Sequence, residues 1–156
     1  MSIPVKPVPE DYGSLVPSLN LLDANAALEF YIKAFNAVER FRMPTPDGSG
    51  KVLHGEFQIG NRVIMFSDED PFWNSKSPTS VGGCPLSLNL YVEDCDKIHE
   101  QAVAAGAKVL KELMTYPWGE RNSMVEDPFG YRWAICTHVE DLSPEEVVER
   151  LKNWNP

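Results

Sequence analysis

The sequence has few cysteines, few positive charges and no long apolar run. Its three cysteines are an odd number without a CxxC spacing, which indicates reduced thiols in a cytoplasmic protein. With 14 basic against 23 acidic residues the net charge is -9, so the basic face that nucleic acid binding needs is not expected. No apolar run could cross a bilayer. The first twelve residues lack the apolar core of a secretory signal, so we expect no membrane partner.

What the chain does have is a four-residue phrase that occurs twice. Residues 18–21 and residues 87–90 both read Ser-Leu-Asn-Leu. Each copy alternates polar and apolar side chains as a strand does. Each is followed by an amphipathic helix and then by strand-like stretches that end in a glycine-containing hairpin. Such a long repeat predicts one supersecondary unit, β-α-β-β-β, used twice.

We predict a single domain over residues 1–156 with an internal repeat. The first repeat covers 12–68 and opens with a strand at 15–22, and the second covers 86–139. A linker at 69–85 joins them, in which Phe72 and Trp73 are expected to pack the linker down. The tail, 140–156, begins with Ser-Pro-Glu-Glu at 143–146, which is typical of a helix start with a capping box. The apolar stripe of that helix must cover either the chain's own sheet or a partner subunit.

His54 and Glu56 form the most reactive-looking pair in the sequence. They lie two residues apart on a predicted strand at 52–59, so their side chains share a face. A carboxylate can hold an imidazole in one tautomer, which would suit a general base. Two alternatives stay open: an unusual metal site completed by His138, and an ordinary polar strand face.

Several phrases resemble one known superfamily. They include Phe-Arg-Met-Pro at 41–44, His-Gly-Glu at 54–56, Leu-Asn-Leu-Tyr-Val-Glu-Asp at 88–94 and Asp-Pro-Phe-Gly at 127–130. Together with the repeated unit, they resemble the vicinal oxygen chelate superfamily of glyoxalase I, extradiol dioxygenases and bleomycin-resistance proteins, most closely its PhnB-like branch. The resemblance implies an α+β fold whose two β-α-β-β-β units form a cupped incomplete barrel, plus a C-terminal helix.

The resemblance also implies where metal ligands would stand in a metal-dependent member. These positions lie on the first and last strands of each unit: Val16 or Ser18, the neighbourhood of Ile64 or Phe66, Ser87, and Ala134. None of these side chains is a good ligand for a divalent metal. We therefore expect no metal cofactor, with a displaced metal site as the alternative.

By the same resemblance, neutral polar side chains would line the cup and bind substrate. The candidates on strands are Ser18, Asn20, Ser87, Asn89, Tyr91, Cys136 and His138. Trp118 and Arg121 lie in a predicted loop before the last hairpin and could wall the pocket and clamp an anion. The alternatives are that Asn20 and Asn89 satisfy each other, and that Trp118 and Arg121 are structural and surface residues. His99 is expected to face solvent on its helix.

The sequence therefore predicts a small-molecule-binding member of the superfamily, with the usual metal positions replaced and the ligand held in the cup. One alternative is a metal-dependent lyase, isomerase or dioxygenase that uses a displaced site around His54, Glu56 and His138. Another is a drug-sequestering resistance protein, for which the acidic charge and stacking on Trp73 or Trp118 would suit a cationic drug. A homodimer is expected, with the last helix offering contact area.

Overall fold

The computed structural model describes residues 5–155 and divides the chain into two compact units, with the boundary between Gly82 and Gly83. The first unit contains, in chain order, β1 Ser18–Leu21, α1 Ala24–Phe35, β2 Val38–Pro44, β3 Val52–Ile59, β4 Arg62–Asp68 and the short helix α2 Pro78–Val81. The second contains β5 Ser87–Tyr91, α3 Cys95–Ala105, β6 Lys108–Thr115, β7 Glu120–Glu126, β8 Arg132–His138 and α4 Pro144–Leu151.

Each unit builds one four-stranded sheet with the same topology. The strand orders are β1-β4-β3-β2 and β5-β8-β7-β6. In both sheets the first strand pairs parallel with the last, and the other pairs are antiparallel. A parallel pair needs a long crossover, which begins in each unit with the helix after the first strand. The predicted α+β class with two β-α-β-β-β units and a C-terminal helix is confirmed.

Helix α1 covers one face of the first sheet and makes the core of that unit. The ring of Phe57 stacks on Tyr31 at 5.0 Å between centroids, and Phe66 lies 5.6 Å from Phe57. Leu19 is buried beside them. Because strand side chains alternate, the residues between these point away from α1. We call that side the helix-distal face of the first sheet; it carries Ser18, Asn20, His54, Glu56, Met65 and Ser67.

The two Ser-Leu-Asn-Leu phrases are not structurally equivalent. Asp68 accepts a hydrogen bond from the first residue of α1, Ala24, and Thr137 does the same for Cys95 at the start of α3. Asp68 and Thr137 are therefore equivalent positions on the last strands of the two sheets. Through the pairing of each last strand with the first strand, Ser18 is equivalent to Asn89 and Asn20 to Tyr91. The phrases are thus two residues out of register. Because two residues is one strand period, the predicted faces are unchanged.

The structure differs from the prediction at two strands and in the linker. β1 begins at Ser18 rather than residue 15, although the carbonyl of Pro17 still accepts from the N–H of Met65. Arg121, which the sequence places in a loop, belongs to β7, and β7 begins at Glu120 because residues 120 and 121 pair with β8. The linker forms α2, capped by Ser77. Phe72 and Trp73 contact each other edge to face but are 83% and 71% exposed, so the expectation that they pack the linker down was wrong.

Candidate functional site

A buried carboxylate lies at the centre of the helix-distal face of the first sheet. Glu56 is on the inner strand β3 and is 1% exposed. It lies on this face because its neighbours Gly55 and Phe57 are directed towards α1. His54, two residues earlier, is on the same face and half-buried. The shared face of this pair follows from the strand period, as the sequence predicts.

Three side chains surround the Glu56 carboxylate. The Tyr12 hydroxyl donates a hydrogen bond to Oε1, and His54 Nε2 lies 3.7 Å from the same oxygen. Arg40 Nε lies 3.5 Å from Oε2, within ion-pair distance. The Arg40 guanidinium also lies over the Tyr12 ring, 5.8 Å from its centroid, and donates to Asp11 at 3.0 Å. The hydrogen bond to Glu56 is the main reason why the pKa of Tyr12 is raised.

One oxygen of this carboxylate remains without a hydrogen bond. Within residues 5–155, Glu56 Oε2 is the one buried side-chain nitrogen or oxygen that has no hydrogen-bond partner. Arg40 Nε lies 3.5 Å away and makes no hydrogen bond to Oε2, so it supplies charge without satisfying the acceptor. Leaving a buried acceptor unsatisfied costs about 1–3 kcal/mol, and more when the group is charged. Glu56 is therefore an acceptor ready for a donor group.

A bulge in β2 brings Arg40 to this carboxylate. Glu39 pairs with Phe57 and Phe41 with Glu56, so Arg40 is an extra residue between two regular pairs. Bulges of this kind redirect side chains and occur often beside functional sites. Sequence reasoning missed both Arg40 and Tyr12. The bulge breaks the period-two count on which strand faces were assigned, and Tyr12 lies outside every strand.

Apolar side chains flank Glu56 on the neighbouring strands. Phe41 is opposite Glu56 on β2, and its ring lies 5.6 Å from the His54 imidazole. Met43 is opposite His54, and Met65 on β4 is opposite Glu56. Phe41 and Met43 are exposed and Met65 is half-exposed. A buried acceptor among accessible apolar groups is the usual composition of a small-molecule site.

Gly55 has a packing role between the two functional residues. A Cβ at this position would lie 2.5 Å from two ring atoms of Phe66. Phe66 is fully buried against Phe57 and cannot move away. The glycine of the His-Gly-Glu phrase therefore allows the ring of Phe66 to pack flat on β3, which fixes the strand that carries His54 and Glu56.

A cleft of about 340 Å³ opens at the end of β1 and β4 in the same unit. Asn20 and Ser67 line it from the helix-distal face, and the exposed Trp73 lines it from the linker. Its wall carries four carboxylates and one lysine, from Asp47, Asp68, Glu69, Asp70 and Lys51.

Hydrogen bonds favour the ionised form of two of these carboxylates, Asp47 and Glu69. Those from Thr45 and Ser49 lower the pKa of Asp47 to about 2. Those from the Ser77 backbone and the Ser80 hydroxyl lower the pKa of Glu69. The cleft is therefore acidic at neutral pH.

The candidates on the second sheet lie on the side away from α3, in a different chemical setting. The Tyr91 hydroxyl donates to Glu120, which raises the pKa of Tyr91 to about 12. Burial raises the pKa of Cys136 to about 11, so it is a poor nucleophile at neutral pH. His138 is exposed and bonds Asp141 at 2.7 Å. Ser87 and Asn89 are exposed on β5.

Trp118 and Arg121 contact other parts of their own unit. Trp118 stacks on Tyr116 at 4.4 Å and meets Trp154 edge to face at 5.7 Å. Arg121 binds the carboxylate of Asp96 through two hydrogen bonds of 2.6 and 2.7 Å, which lowers the pKa of Asp96. Arg121 thus clamps an anion, as its chemistry predicts, but the anion is a side chain at the start of α3.

The expectation that His99 faces solvent was wrong. Its ring is buried against the second sheet, with Nδ1 2.8 Å from the hydroxyl of the fully buried Ser123. Ser123 lies on the face that α3 covers, so the histidine turns inward to pair with it. A buried polar side chain on a helix cannot be told from an exposed one by periodicity when it has a partner on a distant strand.

The donor groups of the described residues do not form a metal centre. Across residues 5–155, no three or more His, Cys, Asp or Glu side chains are close enough to hold a metal ion. Of the implied ligand positions on β4, Ile64 and Phe66 are buried in the core, and the residues on the helix-distal face there are Met65 and Ser67. These side chains do not fit the His and Glu ligand set that the resemblance implies.

Comparison with known proteins identifies the family. The family model of the Glyoxalase/Bleomycin resistance protein/Dioxygenase superfamily matches residues 17–135. The chain belongs to this superfamily. It is 38% identical over 150 residues to an uncharacterized protein of Mycobacterium bovis, with 94% of this chain and 93% of that protein covered. An uncharacterized protein of Mycobacterium tuberculosis is also 38% identical, with 84% of its length covered.

Solved structures share the fold at lower identity. TioX from Micromonospora sp. ML1 has a TM-score of 0.65 at 24% identity, covering 80% of this chain and 98% of that one. A glyoxalase-related enzyme from Fulvimarina pelagi has a TM-score of 0.60 at 21% identity, covering 80% and 88%. A PhnB protein from Bacillus cereus has a TM-score of 0.61 at 19% identity, covering 80% and 98%. These likenesses concern the fold alone.

The helices give no sign of a membrane span. None of the helices in the described part of the chain is long and apolar enough to cross a bilayer.

Proposed function

We propose that this chain is a small-molecule-binding member of its superfamily whose ligand donates a hydrogen bond to Glu56. The observation that carries the proposal is the buried, unpartnered Oε2 of Glu56. A ligand with an amine, amidine or hydroxyl group would satisfy that oxygen, and its apolar body would rest on Phe41, Met43 and Met65. The ligand class is thus a small amphiphilic compound with a donor at one end.

His54 takes a supporting part in this site. Its imidazole is half-exposed, and its Nε2 lies 3.7 Å from Oε1 of the carboxylate, close enough for the carboxylate to orient the ring. A bound ligand would meet the ring from the accessible side. Should the site be catalytic, the pair His54 and Glu56 is the group that would move a proton, and the reaction is then acid–base chemistry on the bound compound.

A thermal-stability screen with matched variants tests the proposal. The protein, purified without a histidine tag, is screened against small amines, amidines and hydroxy-aromatic compounds. A ligand that raises Tm by binding the folded state is expected to bind about tenfold more weakly to Glu56→Gln, because a hydrogen bond to a charged acceptor contributes about 1.5–3 kcal/mol and one to a neutral acceptor less. Glu39→Gln, an exposed glutamate on the same sheet, is the control.

The same screen distinguishes the metal-dependent alternative from a ligand site that holds no metal. Zinc, nickel, manganese and ferrous iron are added to metal-free protein, and elemental analysis is made on the protein as purified. We expect no Tm shift, because the described residues do not group three metal-binding side chains. Near-stoichiometric metal that is lost in His54→Ala would contradict this and make His54 a ligand.

Ligands that bind Glu56→Gln and wild type equally would refute the Glu56 site itself.

A second candidate function is sequestration of a cationic aromatic compound, as in a drug-resistance protein. The specific observation in its favour is the acidic cleft, where the exposed Trp73 lines a space that four carboxylates also border. A cation over an indole face is attracted by its π electrons. Trp73→Leu is expected to abolish quenching of tryptophan fluorescence by such a compound, while Phe72→Leu leaves it intact; equal quenching in both variants would exclude the cleft.

We also propose a cytoplasmic homodimer. Cys84, Cys95 and Cys136 are all free thiols, which supports a reducing compartment. Val148 and Leu151 on α4 are 58% and 40% exposed, and an apolar stripe of this kind supports contact with a second copy. Sedimentation velocity tests the dimer.

A further inference from the structure

The described segment before β1 is largely exposed, and Tyr12 is the residue that it buries most between positions 5 and 15. Of the described residues 5–15, every residue except Tyr12 is exposed. Tyr12 bonds Glu56, and its neighbour Asp11 bonds Arg40. The segment joins the sheet at Pro17, whose carbonyl accepts from Met65. Between the phenol and this anchor lies Gly13 at φ +67, a conformation that favours glycine.

The phenol of Tyr12 binds the same carboxylate that the proposed ligand would use, at Oε1 beside the unpartnered Oε2. Its hydroxyl donates to Oε1 of Glu56, and its ring lies under the Arg40 guanidinium. The Glu56 side chain beside it is only 1% exposed. The chain thus shows which chemical group this site accepts: a six-membered aromatic ring with a hydroxyl aimed at the carboxylate and a cation above the ring.

We propose that residues 5–16 form a displaceable strap in which Tyr12 acts as an internal ligand, and that the external ligand of the Glu56 site is a phenolic compound that displaces it. This deepens the proposed function and rests on it for the ligand. In the exchange the incoming phenol takes the place under Arg40 and donates to the Glu56 carboxylate, at Oε2 or at the Oε1 that Tyr12 vacates. The apparent affinity for the external ligand is therefore its intrinsic affinity multiplied by the fraction of molecules in which the strap is open.

Chemical labelling of Glu56 tests the strap without any ligand. Carboxylates are activated with a water-soluble carbodiimide and trapped with glycinamide, and the extent of amide formation at Glu56 is read by peptide mass spectrometry. Tyr12→Phe keeps the ring and loses the hydroxyl bond, so we expect labelling of Glu56 to rise about tenfold, as loss of one hydrogen bond to a charged group allows. Val8→Ala, in the same exposed segment, is the control and should match wild type.

A second experiment uses 4-methylphenol, which has the shape of the tyrosine side chain. It is expected to raise the Tm of Tyr12→Ala and to bind that variant at least about tenfold more tightly than wild type, because the internal competitor is gone. Toluene has the same ring and methyl group without the hydroxyl and should give no comparable shift. Adding Glu56→Gln to Tyr12→Ala should weaken 4-methylphenol binding.

The outcomes distinguish a failure of the strap proposal from a failure of the proposed ligand site at Glu56. Equal labelling of Glu56 in wild type and Tyr12→Phe overturns the strap, and so does equal 4-methylphenol affinity in wild type and Tyr12→Ala. A toluene shift as large as that of 4-methylphenol overturns the phenolic ligand class. If instead Glu56→Gln leaves every ligand of the screen unaffected while labelling still rises in Tyr12→Phe, the strap stands and the proposed function fails.

Discussion

The surroundings of each sulfur set how the three cysteines react. Burial raises the pKa of Cys136 to about 11, so at pH 8 almost none of it is thiolate. Cys95 is buried at the start of α3, whereas Cys84 is partly accessible in the linker. A disulfide reagent at pH 8 is therefore expected to modify one thiol per chain quickly and the other two only after unfolding.

The absorbance of released thiolate measures this count, and Cys84→Ser supplies the control by removing the fast phase. Two fast thiols per native chain would show that Cys136 or Cys95 is reachable, and would return Cys136 to consideration as a nucleophile. The thiols of Cys95 and Cys136 should react rapidly once the denaturant concentration reaches the midpoint of unfolding, because burial of the sulfur is what slows their reaction in the folded protein.

At the residue scale, the sequence identified the carboxylate of the candidate site but not its environment. The period-two count places His54 and Glu56 on one face without a structure. It cannot give the contacts of Glu56, because they include Tyr12, 44 residues earlier, and Arg40 in a bulge. Likewise His99 turns inward for Ser123 on another strand. Contacts between distant segments leave no periodic signal.

At the element scale, one carboxylate ties helix α1 to the first sheet. Asp68 at the end of β4 accepts from the Ala24 N–H with Oδ1 at 3.0 Å and from the Val52 N–H with Oδ2 at 2.6 Å. Asp68→Asn keeps one acceptor and turns an amide donor towards the other N–H. We expect a loss of about 1–3 kcal/mol in the free energy of unfolding, the cost of an unsatisfied buried donor, measured by urea denaturation.

Asp70→Asn is the matched control for this prediction. Asp70 accepts from the Phe72 N–H in a turn, where asparagine serves as well as aspartate, so its unfolding free energy should stay near that of wild type. In the second unit Thr137 bonds the Cys95 N–H in the same way and also donates to Val92. Asp68→Asn with wild-type stability would show that α1 is held by its apolar contacts alone.

The elements themselves were largely predictable because each has a local cause. Asp23 and Asp94 cap α1 and α3, and the capping box of Ser143 and Glu146 is formed at α4. The predicted strand boundaries were wrong where pairing with a distant strand sets the boundary. Glu120, for example, belongs to β7 because it pairs with His138 on β8. The repeated Ser-Leu-Asn-Leu phrase led to the right topology, although its copies are two residues out of register.

At the scale of the whole molecule, the C-terminal helix contributes no side chain to the buried core of its unit. None of the side chains of α4 is buried. Its hydrogen bonds are local, from the capping box and from the Arg150–Glu140 ion pair. An eight-residue helix is marginal in water by itself, and Trp154 just after it contacts Tyr116 and Trp118 of the same unit. In the proposed homodimer, the exposed Val148 and Leu151 would contact the second copy.

The proposed homodimer is tested by changing only the apolar stripe of α4. Sedimentation velocity over a hundredfold range of concentration is expected to show a dimer for wild type and a monomer for Val148→Glu, because a charge placed in an apolar contact is desolvated without a partner. Val103→Glu, at a comparably accessible position on α3, should remain a dimer. Glutamate favours helix, so far-ultraviolet circular dichroism should be unchanged in both variants. A wild-type monomer at every concentration would refute the homodimer, whereas a dimer that survives Val148→Glu would show that the contact lies away from α4.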